Sequence, residues 1–378
     1  MKAADSSVAS TPLALDAVVQ RAAEKLFSDA QALLGHSRRD LVIDPLIDAN
    51  TGQQTIGSAA VGTQLARIVS DKFPIWTVRA LSRKGLGDAP LLLLGTLTPV
   101  NLGPTPSAET RAVEVFSLWL TLADLRTGKI VAKRLDRAAP ASVNAEPTRF
   151  FRDSATTLKD RAVTAYVNSC QVDARIGEPL DPLYLMRLPA AARLNEAINA
   201  YNDDKLAVAH RLFADAARLA DADDLRVLNG RYLTSWRLGR KPEAAQVLAR
   251  IVNQGLNDKR LALKILFEPG TPTMLGAADL RVQYRLWLRE VARQSAARKS
   301  CLRVVGHGSR IGSAAASDVL SLQRAAVVRW ILAKDAPASA KRFSAAGVGW
   351  RENLIGLGTD DLRDALDRRI EFRVADCP

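Results

Sequence analysis

The chain is short of the residues from which active centres are usually built. Its 378 residues include three histidines, three cysteines and three methionines. His36, His210 and His307 stand apart from one another, and Cys170, Cys301 and Cys377 form neither a Cys-x-x-Cys pair nor a Cys/His group at metal-ligand spacing. Zinc sites and dithiol redox motifs are thereby excluded. There is no His-Glu-x-x-His and no phosphate-binding Gly-x-x-x-x-Gly-Lys-Ser/Thr loop. The phrase GHGSRIG has a serine in a glycine-rich turn, but a nucleophile elbow needs glycine two residues to either side. Ser309 has His307 and Ile311 there. Neither catalysis nor a cofactor is expected, and His307 reads as a residue packed in a loop. Aromatics make up 5% of the chain, and no basic run is interleaved with them, so a stacking platform for nucleic acid is missing. No apolar run approaches the 18 or more residues of a membrane span. The opening MKAADSSVASTP has no apolar centre and does not read as a signal peptide; it has the polar, Ser/Ala-rich character of a mature exported protein after an initiator Met.

What is present is an ordinary globular composition, 48% hydrophobic and 25% charged, with length for two or three domains. The 53 basic against 40 acidic residues give a net charge of +13. Such a surface attracts polyanions: nucleic acid, anionic headgroups or the carboxylate-rich peptides of a bacterial cell wall. Cys301 precedes the strand-like LRVVGH and Cys377 follows the strand-like RIEFRV. If these strands are antiparallel neighbours the two thiols come within bonding reach, which suits an oxidising compartment. Cys170 is then left unpaired at a helix end, part-buried.

The pattern along the chain predicts a multidomain α/β protein. After a flexible stretch over 1–12, residues 13–175 form a mixed α/β domain. Its elements are an amphipathic helix over 13–34, the strand LVIDPLID, a helix over 58–73, and the strands WTVRAL and LLLLGTLTPV. A hairpin then turns at Arg126-Thr127-Gly128, and a helix over 149–168 closes the unit. LVIDPLID, LLLLGTLTPV and LTLADLRTGKIV resemble in order the corresponding elements of the FlgO/CsgG/LpoB group of envelope proteins. Residues 176–257 are helical. Ala209, Phe213 and Ala216 recur 35 residues later as Ala244, Leu248 and Ile251, close to the period of tetratricopeptide helix pairs. The phrase YLTSWRLGRKPEAAQVLARIV is similar to such a repeat, and two repeats must pack on a neighbour to bury a core.

Residues 258–378 carry the functional signal. A strand opening LKILFEPG, a helix over 277–294, the strand CLRVVGH, the helix LSLQRAAVVRWILAK, the segment SAAGVGW and the closing strand DRRIEFRV make an α/β sandwich. The phrases ILFEPG, VVGHGSRIGS, LSLQRAAVV, GVGWRE and DRRIEF resemble, in order and spacing, the OmpA-like peptidoglycan-associating family. The resemblance implies non-covalent binding of the diaminopimelate residue of the peptidoglycan stem peptide, whose zwitterionic end needs an acid and an arginine side by side. Arg324 falls on the family's arginine. The family's aspartate is replaced by Gly308-Ser309, and Ser309 cannot supply the charge. The aromatic-Asn pair after the GS is Ala316-Ser317, and the Asn before Arg368 is Asp367. Asp360, Asp361 or Asp367, on the loop and strand that border the family's pocket, could restore an acid. Two readings stay open. In one, a periplasmic, outer-membrane-associated and non-enzymatic protein anchors a complex to peptidoglycan. In the other, an assembly subunit of a secretion or appendage machine keeps the domain for docking protein.

Overall fold

The computed structural model describes residues 12–101, 113–156, 159–171, 174–219, 224–359 and 361–377. It is mixed α/β, with two separate sheets among the described residues.

The first sheet has the order β2-β1-β3-β4-β5. β1 (Arg39–Ile43) lies parallel to β2 (Trp76–Ala80) and β3 (Leu91–Val100), while β4 (Val115–Asp124) and β5 (Lys129–Ala138) follow antiparallel. Both faces are covered, which is why Leu91–Leu94 are all apolar and all buried. Leu41, Leu91 and Leu93 face helices α1 (Leu15–Leu34) and α2 (Ile56–Lys72). Their alternate neighbours Val42, Leu92 and Leu94 face α4 (Arg161–Cys170) and α5 (Pro182–Asn202). The apolar stripe of α1, from Leu15 through Ala30, is buried as its periodicity predicts. Thr55 and Ser58 cap the start of α2 reciprocally. Cys170 ends α4 and is wholly buried, deeper than a part-buried helix end.

The single helix expected over 149–168 is two helices. The first, α3 (Arg149–Asp153), stops and α4 restarts at Arg161. Contacts distant in sequence draw the chain out of helical form between them. The amides of Ala155 and Thr156 donate to Asn229 Oδ1 at 3.0 and 3.3 Å, and Ala155 O accepts from Lys264 N at 2.9 Å. The Lys264 ammonium donates to Phe151 O at 2.8 Å and to Arg152 O, satisfying carbonyls at the end of α3. Asp160 caps α4 through Val163 N at 2.9 Å.

Helices α5, α6 (Leu206–Leu219), α7 (Leu225–Arg237) and α8 (Lys241–Asn257) pack as consecutive antiparallel neighbours. Ala209, Phe213, Ala216, Ala244, Leu248 and Ile251 are all fully buried between them. One hydrophobic cluster runs from Phe150 through these helices into the second sheet. That sheet has the order β6-β9-β7-β8, with β9 (Ile370–Ala375) antiparallel to β6 (Arg260–Leu263) and β7 (Cys301–Gly306), and β8 (Phe343–Gly347) parallel to β7. The opening strand is shorter than LKILFEPG because Lys264 turns away to α3. Helices α9 (Ala278–Ala297) and α10 (Ala314–Asp335) back this sheet.

Cys301 pairs in register with Ala375, two residues short of Cys377, and the two cysteines are bridged with Cα atoms 5.2 Å apart. Closing a loop of 76 residues restricts the unfolded chain, a stabilisation of roughly 4–5 kcal/mol in the chain-entropy model. Reduction should therefore lower the denaturation midpoint of the folded protein. Two free thiols in a non-reducing peptide map of protein made in an oxidising compartment would contradict the pairing.

Gly230 on α7 lies against the Phe213 ring of α6, and a Cβ there would collide with the ring. Gly230→Ala should thus overpack the α6–α7 contact and cost roughly 1–3 kcal/mol. An unchanged melting temperature would show that the helices can separate freely at this point.

Candidate functional site

The site is built where β7 and β8 run out toward α10. Gly306 and Gly347, the last residues of these strands, lie so close to the α10 backbone that a Cβ on either would collide with Ser321 O or with Leu322 N and Asp318 O. The loop after β7 is held by Gly308 N donating to Gly349 O at 2.8 Å. Ser313 caps α10 through Ala316 N at 3.2 Å. Helix, loop and sheet end are thus fixed against one another by sequence-local glycines and a cap.

Arg324 points from α10 into the domain and is 2% exposed. Its guanidinium lies 5.1 Å from the Phe267 ring centroid. Nε donates to Thr271 O at 3.1 Å and Nη2 to Glu268 O at 3.3 Å. The arginine expected to hold a ligand carboxylate therefore also fixes the Glu268–Thr271 turn.

Ser309 is buried beside Arg368, accepting from its Nη1 at 3.0 Å. The same nitrogen donates to Asp364 Oδ1 at 2.8 Å, and Nη2 donates to Asp361 O at 2.8 Å. Asp364, fully buried, is the acid that stands at Ser309 through Arg368. It was not among the acids singled out from the sequence. Its signal was the four-residue spacing to Arg368 in DALDRR, lost among five neighbouring aspartates and arginines. Asp361 is exposed, caps the short 3-10 turn Leu362–Asp367 and pairs with Arg363 at 2.6 Å, which holds its carboxyl down at about 2. Asp367 is fully buried and accepts from the amides of Leu354, Ile355 and Gly356 at 2.7, 3.0 and 2.7 Å. Burial nonetheless pushes its carboxyl up to about 6. Asp360 lies outside the described residues.

Behind this cluster, Glu371 on β9 has no exposure. It accepts from Arg260 Nη2 at 2.8 Å, Arg369 Nε at 2.9 Å and Arg373 Nη2 at 3.0 Å. His307 Nε2 is 3.7 Å away, and neither ring nitrogen has a hydrogen-bond partner. Burial and then the neighbouring Arg369 push the imidazole down to about 3, so it is neutral. Ligand atoms of His307, Glu352 and Glu371 lie within 4.8 Å of one another. Three guanidinium groups occupy the same neighbourhood, so a cation would meet their repulsion. The cluster fits an ion network better than a metal centre.

Residues 266–365 match the model of the OmpA family. The OmpA-like region thus includes β7, α10, Ser309 and Arg324. Among solved structures, the periplasmic domain of Helicobacter pylori MotB is similar at 16% identity, covering 32% of this chain and 86% of that one, with a TM-score of 0.26. The peptidoglycan-associated lipoprotein of Burkholderia pseudomallei is similar at 19% identity over 29% and 88%, with a TM-score of 0.25. The C-terminal domain of Escherichia coli LpoB is similar at 13% identity over 33% and 98%, with a TM-score of 0.24. No curated protein matches the chain. No described helix is long and apolar enough to cross a membrane.

His307 gives this region a pH signature of known sign. Its pKa is lowered from 6.5 to about 3, so the stability it contributes is full above pH 6.5 and is lost as pH falls toward 3. Asp367 acts oppositely, since its raised value favours the fold below pH 3.8 and that contribution is lost as pH rises through about 6. Comparing wild type with His307→Gln isolates the imidazole. Between pH 6.5 and 4 the wild type should lose stability relative to the variant, by at most about 1.4 kcal/mol per pH unit. Parallel melting-temperature profiles would refute the buried neutral state.

Proposed function

We propose that the chain is a non-catalytic bacterial envelope protein whose OmpA-like region holds peptidoglycan. The observation that carries this reading is the family match over 266–365, which includes the loop bearing Ser309 and the helix bearing Arg324. In the finer form of the proposal the ligand is the diaminopimelate-bearing stem peptide, and the protein works in the periplasm. The mixed α/β portion over 13–175, FlgO/CsgG/LpoB-like, and the tetratricopeptide-like helices over 176–257 hold other envelope proteins. The chain would then fasten an outer-membrane-associated complex to the wall. Its surplus of basic residues suits an acidic polymer. In the pocket, Arg324 supplies the guanidinium for the ligand carboxylate, while the Ser309 hydroxyl and the Gly308 carbonyl meet the ligand ammonium as oxygen acceptors, with the buried Arg368–Asp364 pair holding Ser309 from behind.

A second reading is favoured by two specific observations. Arg324 is engaged with its own chain's carbonyls and Ser309 replaces a charged acceptor, an arrangement that also suits a domain docking protein in place of wall.

Sacculus co-sedimentation of the full chain at low and physiological salt separates the two. On the wall-binding reading the wild type sediments at physiological salt. Ser309→Asp should sediment more strongly, because the ligand ammonium gains a counter-charge. Arg324→Ala should lose roughly 1.5–3 kcal/mol, about ten- to hundred-fold in affinity. Since Arg324 also holds the Glu268–Thr271 turn, circular dichroism melts accompany that variant, and Ser309→Asp serves as the gain-of-binding arm. Non-specific attraction falls with salt and weakens when an acid is added. A wild type that stays in solution at physiological salt, or a folded Ser309→Asp that sediments less, hands the domain to the docking reading.

A further inference from the structure

A cleft of about 800 Å³ opens where three parts of the chain meet. One wall comes from the segment around α4 and the start of α5, a second from α7 and α8, and a third from β6, β9 and Leu354. Its lining includes none of Arg324, Ser309, Arg368 or Asp364. The volume is that of a pocket for a small organic molecule.

Its charges are unevenly spent. Lys159, Arg161, Arg187, Arg260 and Arg369 line it against Asp160, Asp258 and Glu371. Glu371 is satisfied by Arg260 and Arg369. Asp160 is occupied by the amides of Val163 and Leu225. Lys159 Nζ donates to a neutral acceptor, Ala49 O, at 3.0 Å, which leaves its charge uncompensated. Arg161 is exposed and makes no hydrogen bond or ion pair through its side chain among the described residues. Thr156 and Thr164 add short polar side chains to the same wall. Leu183, Leu225 and Ile251 add apolar surface.

We propose that this cleft is a binding site for a small organic polyanion, its carboxylate or phosphate groups held by Arg161 and Lys159. Guanidinium forks suit both kinds of oxyanion. Because all three walls belong to different parts of the chain, occupancy ties them together and raises the stability of their assembly by mass action. This proposal is independent of wall binding.

The test uses the full chain at physiological salt, with citrate and pyrophosphate as probes, followed by calorimetry and thermal shift. One saturable site is expected, with a raised melting temperature; a preference for citrate identifies carboxylate as the natural group, a preference for pyrophosphate identifies phosphate. Arg161→Glu should weaken binding about tenfold or more. Asp258→Asn removes an exposed acid from the lining and should tighten it. Arg67→Glu and Asp71→Asn make the same charge changes on the exposed face of α2 and should leave affinity unchanged. No saturable binding of either probe, or equal effects from the α2 variants, would overturn the proposal.

Discussion

Glu371 is the residue on which the second half of the molecule turns. Taking one carboxylate entirely out of water costs several kcal/mol, and only close guanidinium partners offset that cost. Arg260 comes from β6, on one side of β9, and Arg369 and Arg373 from β9 and its approach. These therefore converge on a single acceptor that fixes strand order as well as charge. Arg369 carries the restraint outward by donating to Glu352 O at 3.0 Å and to Leu366 O at 3.3 Å. Arg373 extends it to the Glu352 carboxylate. The loop after β8 and the 3-10 turn before β9 are both set by the same network. The 3-10 turn and its end deliver Asp364 and Arg368 to Ser309. Removing Glu371 would strand three cations and loosen both.

The joint between the two sheets rests on a comparable economy. Lys264 is buried, and burial pushes its ammonium down to about 7. It is held by carbonyls at the C-terminal end of α3, the end of a helix that favours a cation. Asn229 binds the adjoining segment from α7. One residue just past β6 and one from the helical segment thereby hold the same short break, and the cleft borders it through Thr156 and Lys159.

Local patterns were legible where they decide structure. The stripe of α1, the hairpin around Gly128, and the strand pair that brings Cys301 to Cys377 follow from periodicity, turn chemistry and antiparallel register. The break after α3 was not legible, because 149–168 is helix-like by itself and loses to Asn229 and Lys264, residues far along the chain. The site shows the same division. Arg324 could be placed on its helix from the LSLQRAA phrase, whereas its acceptors are main-chain carbonyls that leave no trace in residue type. Asp367 looked like a spare acid, yet three amides consume it. Asp364 looked like one charge in a charged run, yet it is buried against Arg368, which in turn reaches Ser309.

That relocation bears on what the pocket can recognise. An aspartate at position 309 would present a full negative charge at the end of β7. Here Ser309 presents a hydroxyl, and the Asp364 carboxylate joined to it through Arg368 is already paired with that guanidinium at 2.8 Å. A hydroxyl backed by a neutralised, buried pair would offer a ligand ammonium one directional acceptor and a weak field in place of a point charge. Such a pocket depends more on hydrogen-bond geometry, and less on ionic strength, than a charged one. On the proposed wall-binding reading, selectivity would rest on how well an ammonium and a carboxylate on one carbon match the fixed spacing between the Ser309 loop and α10. That spacing is set by Gly306 and Gly347, which let α10 approach the ends of β7 and β8.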